Sequence, residues 1–133
     1  MVGWAQVERL FLVCLGGAFG SGARYLVSGW VIGRLGSGFP WGTLCVNVVG
    51  SFLLGAIMRI AGTTTWISPT TQLTLTVGVL GGFTTYSSFN YEVIASLDQG
   101  AWLLAGANVV GTVIACLAAG FLGMAAARGI TGG

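Results

Sequence analysis

The sequence has no histidine and no lysine, only three acidic residues and only two prolines in 133 residues. Without histidine it lacks the usual proton relay and the commonest metal ligand. Its three carboxylates (Glu8, Glu92, Asp98) are scattered, so no acid–base pair is evident, and an enzyme is not the expected reading. Charged residues make up 6% of the chain, against about a quarter in a typical soluble domain. A water-exposed surface is hard to build from so little charge. The net charge of +2 is too small and too dispersed to imply nucleic-acid binding. The three cysteines (Cys14, Cys45, Cys116) stand far apart in apolar stretches and read as small packing residues.

What the chain does have is apolar length. Hydrophobic residues make up 55% of it, and the mean hydropathy is +0.91. A helix needs about 20 residues to cross a hydrocarbon core. Four segments qualify, at about 9–33, 41–61, 72–97 and 101–127. Short links join them: "RLGSGFP", "GTTTWISP" and "DQG". Proline and glycine in these links are ordinary helix punctuation. The expectation is an all-α membrane protein, a single four-helix domain over 1–133. No cleavable signal peptide is expected, since the first span lacks a basic leader and runs too long.

Four spans place both termini and the 62–69 link on one side, with Arg9, Arg59 and Arg128, and Arg34 on the other. Three arginines against one favours cytoplasmic termini. So small a bias also suits insertion both ways round. There are 24 glycines, many inside the spans. Gly16-x-x-x-Gly20, Gly29-x-x-x-Gly33 and the Gly50, Ser51, Gly55 set are expected at close helix contacts.

Polar residues inside the spans are the informative ones, because leaving water unpaired is costly. Arg24 sits deep in the first span, Asn47 in the second. Asn108 and Thr112 share one face of the fourth. The third reads "GGFTTYSSFNYE" from residue 81. Two glycines followed by two threonines make a poor continuous helix, so a break is expected there. Backbone groups freed at mid-membrane are tolerated only in protein or at a site, and freed carbonyls are natural ligands for a small hard cation. Beyond the break, Tyr86 and Phe89 share one face; Thr85, Ser88 and Glu92 share another.

Taken together these residues resemble the small fluoride channels called Fluc or CrcB. Their third-helix signature, G-G-x-T-T-F-S-T-F and then an acid, is similar to Gly81-Gly82-Phe83-Thr84-Thr85-Tyr86-Ser87-Ser88-Phe89 with Glu92 after it. Their G-T-L-x-x-N-x-x-G-S pattern is met by Gly42, Thr43, Leu44, Asn47, Gly50 and Ser51. "GGAFGSGAR", ending at Arg24, is similar to their glycine-rich run. The order of the motifs covers nearly the whole chain.

The resemblance implies an antiparallel, dual-topology homodimer in the cell (inner) membrane that passes fluoride passively outward and so protects the cell. It implies a structural Na⁺ at the dimer axis, on the backbone carbonyls of Gly81 and Thr84. The fluoride path would involve Asn47, Tyr86, Phe89, Asn108 and Thr112, with Thr85 and Ser88 beside them. Arg24 would sit at the vestibule, and Glu92 is a candidate for gating or a proton-linked step. Tyr86 departs from the family's phenylalanine; it keeps an electropositive ring edge and adds an O–H donor. The rival reading is a dual-topology multidrug exchanger, which needs a carboxylate deep in a span; Glu92, late in the third, is the only one available. A second rival, a non-transporting assembly subunit, leaves the polar positions unexplained.

Overall fold

The structure is a computed structural model and describes residues 3–132. All regular structure among them is helical. Helix α1 (Trp4–Leu35) ends where Gly36 adopts φ 80°, its N–H returning to the Ile32 carbonyl. Such a left-handed turn is open to glycine at no steric cost. Helix α2 (Trp41–Thr63) starts after Pro40.

The region expected as a third span, 72–97, is two helical pieces. Its first begins at Ser68, whose hydroxyl accepts the Thr71 N–H, with proline at the first position of α3 (Pro69–Leu73). Proline suits that position because its missing N–H has no helical partner to lose. Helix α3 passes directly into a wider, π-helical stretch (Thr74–Leu80) and a last α turn, α4 (Gly81–Phe83). Thr84 and Thr85 are extended. The chain then resumes as α5 (Tyr86–Asp98), turns at Gly100 (φ 73°), and ends in α6 (Trp102–Thr131).

The expected break exists, but the glycines do not make it. Gly81 and Gly82 are helical, and the extended residues are the threonines. Gly82 is needed for proximity instead: a Cβ there would lie 3.1 Å from the Gly17 Cα and still nearer the Gly17 carbonyl. β-Branched threonines are comfortable in extended backbone and stiff in a helix, so the interruption falls on them.

Small residues bring the helices together. Gly16 lies against the Thr74 carbonyl and Gly78 Cα, and a Cβ at Gly20 would overlap the Val79 carbonyl, so α1 packs on the π stretch backbone to backbone. Helix α2 meets α6 through Gly55 against Gly120, and Gly123 against the Phe52 carbonyl. In lipid, helices associate by such close contact rather than by a hydrophobic drive. Gly29 and Gly33, expected at a contact, face open space.

The buried apolar set is small in number and in volume: Val31, Val46, Leu80, Phe83, Ala105, Ala119 and Ala127. The large apolar side chains lie outside, with Trp4 91% and Leu103 88% exposed. Among the described residues three helices, α1, α2 and α6, are long and apolar enough to cross a membrane. A chain with bulky apolar groups outward and glycines at its helix seams is built for lipid.

Candidate functional site

The break is held by side chains from α2 and from its own flanks. The Thr85 N–H donates to Asn47 Oδ1 at 2.8 Å, and Asn47 Nδ2 donates to the Thr85 carbonyl at 3.0 Å. The Ser88 N–H donates to Thr85 Oγ1 at 3.2 Å, capping α5. In an unbroken helix the Thr85 and Ser88 N–H groups would serve the carbonyls of Gly81 and Thr84. Both donors are diverted to side chains. The Thr84 hydroxyl is tied back to the Leu80 carbonyl at 2.9 Å.

Just before the break, the π stretch adds its own irregularity. The Gly81 N–H is shared between the carbonyls of Thr76 and Gly78. Short π segments inside α-helices often mark functional positions. The sequence carries no sign of this one, because an extra residue in a helical turn has no compositional signature.

A cavity opens beside the break. It is lined by Asn47, Gly50, Ser51, Leu54, Thr76, Leu80, Gly81, Thr84, Thr85, Tyr86, Phe89, Thr112, Val113 and Cys116. No lining residue is charged. The polar groups are hydroxyls, an amide and backbone. The Tyr86 and Phe89 rings flank it, their centroids 5.8 Å apart and their planes tilted by 53°. Tyr86 is 77% exposed on the single chain.

Of the residues singled out from the sequence, Asn47, Gly81, Thr84, Thr85, Tyr86, Phe89 and Thr112 therefore come together at one cavity. Arg24, Ser88, Glu92 and Asn108 do not line it. The Ser88 hydroxyl accepts from Thr85 Oγ1 at 3.0 Å. Asn108 is 2% exposed; its Oδ1 accepts from the Thr112 hydroxyl at 3.0 Å, and its Nδ2 has no partner among the described residues. Arg24 is half-buried on α1, one turn past Gly20. Glu92 is half-buried on α5, and one of its oxygens accepts from the Thr43 hydroxyl. Thr43 was not among the expected site residues. The signal was available, since it lies four residues before Asn47 on the same face of α2.

Comparisons with known proteins identify the family. The family model described as "CrcB-like protein, Camphor Resistance (CrcB)" matches residues 11–124. The chain is 54% identical over 127 residues to the fluoride-specific ion channel FluC of Sorangium cellulosum, covering 96% of this chain and all of the relative. It is 52% identical over 126 residues to the protein of that name from Anaeromyxobacter dehalogenans, covering 95% of this chain and all of the relative. With that of Geobacter metallireducens the identity is 48% over 116 residues, 87% of this chain and 94% of the relative. With its lipid-facing apolar helices, its glycine seams and the interrupted helix at Thr84–Thr85, this membrane protein belongs to the CrcB family.

Proposed function

We propose that the protein is a fluoride-selective ion channel of the cell (inner) membrane. It gives fluoride a passive way out and so protects the cell from fluoride. The observation that carries this reading is the full-length likeness to relatives named fluoride-specific ion channels. The chemistry of the cavity supports it. Fluoride is small and strongly hydrated, so a path must replace its water with donors at short range. The cavity offers hydroxyls, an amide and aromatic edges without a fixed charge. Neutral donors bind an anion enough to admit it and weakly enough to release it. In this reading Asn47, Thr85, Tyr86, Phe89 and Thr112 belong to the path, Asn108 continues it along α6, and Arg24 stands at its vestibule.

The working unit in this reading is an antiparallel homodimer, each copy crossing four times, with the interrupted α3–α5 run counted as one crossing. The open cavity and the exposed Tyr86 support a second copy completing the site. The small arginine bias supports insertion in both orientations. A variant with several lysines added to one loop, expressed alone, tests this; full activity from one fixed orientation would refute it.

The carbonyls of Gly81 and Thr84, released from their helical donors, fit a small hard cation, which prefers oxygen ligands. These residues would hold Na⁺, and bound there it would place a positive charge near the path. The rival exchanger reading is disfavoured because Glu92, the carboxylate it needs, is engaged by Thr43 and lies off the cavity.

Fluoride efflux from proteoliposomes, with chloride as control, tests the function directly. Fluoride passing far faster than chloride is the expected result. Equal rates would remove the reading.

A further inference from the structure

Asn47 has both ends of its amide on the backbone of a single residue. Oδ1 accepts the Thr85 N–H at 2.8 Å, and Nδ2 donates to the Thr85 carbonyl at 3.0 Å. This is the pairing a neighbouring strand would supply, and Thr85 has strand-like torsions, φ −152° and ψ 114°. One turn along α2, Gly50 seats the preceding residue: a Cβ there would overlap the Thr84 methyl. The Thr84 hydroxyl is already fixed to the Leu80 carbonyl. Residues three apart share a helix face, so one face of α2 grips both extended residues in succession.

From the sequence, Asn47 reads equally as glue between helices or as a contact for a ligand, and the family resemblance makes it a donor of N–H groups toward an anion. The structure leaves it less freedom. An asparagine amide has two N–H donors and one carbonyl. The carbonyl and one donor are engaged by Thr85, and releasing either would let the Thr85 backbone return toward helix. We infer that Asn47 is a positioning residue for conduction. It acts through Thr85, holding the break extended with Gly50, so that the Gly81 and Thr84 carbonyls stay out of helical bonding and the Tyr86–Phe89 face keeps its place on the cavity. The inference rests on the channel reading above.

Two measurements test it on the full-length protein. The first is fluoride efflux from liposomes as a function of fluoride concentration, for Asn47→Ala, Thr84→Ser, their double variant, and Thr112→Val alone and with Asn47→Ala. Thr84→Ser removes the methyl seated on Gly50 and keeps the hydroxyl bond, so it should fold even if Asn47→Ala does not. A positioning role lowers the maximal rate, by roughly tenfold or more in Asn47→Ala, and leaves the half-saturating fluoride concentration in place. Thr84→Ser lowers the rate less, and the double variant is no worse than Asn47→Ala. Losses multiply when Asn47→Ala is joined to Thr112→Val, which lies on the other wall of the cavity.

The second is hydrogen exchange of the 81–88 backbone. It should quicken in Asn47→Ala and Thr84→Ser and stay unchanged in Thr112→Val. A rise in half-saturating fluoride with unchanged exchange would make Asn47 a direct donor and overturn the inference. So would multiplying losses in the Asn47→Ala, Thr84→Ser pair, or normal exchange and rate in Thr84→Ser when that variant alone is recovered. Wild-type protein without fluoride efflux would sink the channel reading; the exchange arm would still decide whether the amide holds the break.

Discussion

Thr43 on α2 donates its hydroxyl hydrogen to the Glu92 carboxyl on α5, 49 residues away in sequence. Asn47, one turn further along α2, holds Thr85 at the start of the same helix. Helix α5 is therefore tied to α2 at two successive points of one face.

The first prediction concerns the outer tie. The second Glu92 oxygen is buried and has no partner among the described residues. Thr43→Val would leave the first without its donor as well. An unpaired buried polar group costs about 1–3 kcal/mol, so Thr43→Val should lower the melting temperature of the detergent-purified protein. Glu92→Gln keeps a carbonyl for Thr43 and removes an acid from an apolar setting, so it should melt at or above the Thr43→Val variant. Thermal unfolding followed by size-exclusion recovery measures both.

A second prediction separates glycines that look alike in sequence. Gly20 and Gly29 both stand in G-x-x-x-G spacings on α1. A Cβ at Gly20 would overlap the Val79 carbonyl and lie 2.9 Å from the Phe83 nitrogen, whereas nothing lies within 4 Å of one at Gly29. Gly20→Ala would force α1 off backbone atoms that cannot yield, at a cost of about 1–3 kcal/mol or more. Gly29→Ala should be neutral, or stabilising by up to about 1 kcal/mol from helix propensity. If the contact at Gly29 is instead filled by another copy, Gly29→Ala will lower the melting temperature as well.

These two glycines also show how far the sequence could be read. Hydropathy and the proline and glycine links marked out the apolar segments, three of which coincide with long helices, because lipid demands long apolar runs whatever the packing. The interruption in the third run was legible too, but only as a fault in helix propensity spread over Gly81–Gly82 and Thr84–Thr85 together. Its placement at Thr84–Thr85 depends on Asn47, 38 residues away, and on Gly82 having to touch α1 at Gly17. Neither contact has a local signature. The motifs named most of the cavity residues; they could not say that Ser88 and Asn108 would be turned toward Thr85 and Thr112.

The third prediction addresses the aromatic pair. Tyr86→Phe keeps the ring and its edge and loses only the hydroxyl, so fluoride efflux should be retained. Phe89→Ile keeps bulk and loses the electropositive edge, so efflux should fall by roughly tenfold or more in protein that purifies normally. Liposome efflux at equal protein loading is the measurement. Equal, undiminished rates in both variants would move the path away from these rings.

The last prediction asks whether Asn108 and Thr112 serve packing or passage. The pair is buried, at 2% and 6% exposure, and is joined by one hydrogen bond. Asn108 Nδ2 has no partner within the described chain. If the pair were only interhelical glue, removing it would loosen the contact of α6 with its neighbours. A buried polar pair replaced on both sides by apolar groups of similar shape is, however, nearly neutral or stabilising, because no orphaned partner remains. The double variant Asn108→Leu, Thr112→Val should therefore melt at or above the wild-type temperature. A path needs donors whatever the stability, and this variant removes the free amide hydrogens and the hydroxyl together. Fluoride efflux should fall by roughly tenfold to a hundredfold in a protein that is no less stable. A variant that melts early and carries fluoride normally would assign the pair to packing, and the path would run along the Tyr86–Phe89 wall alone.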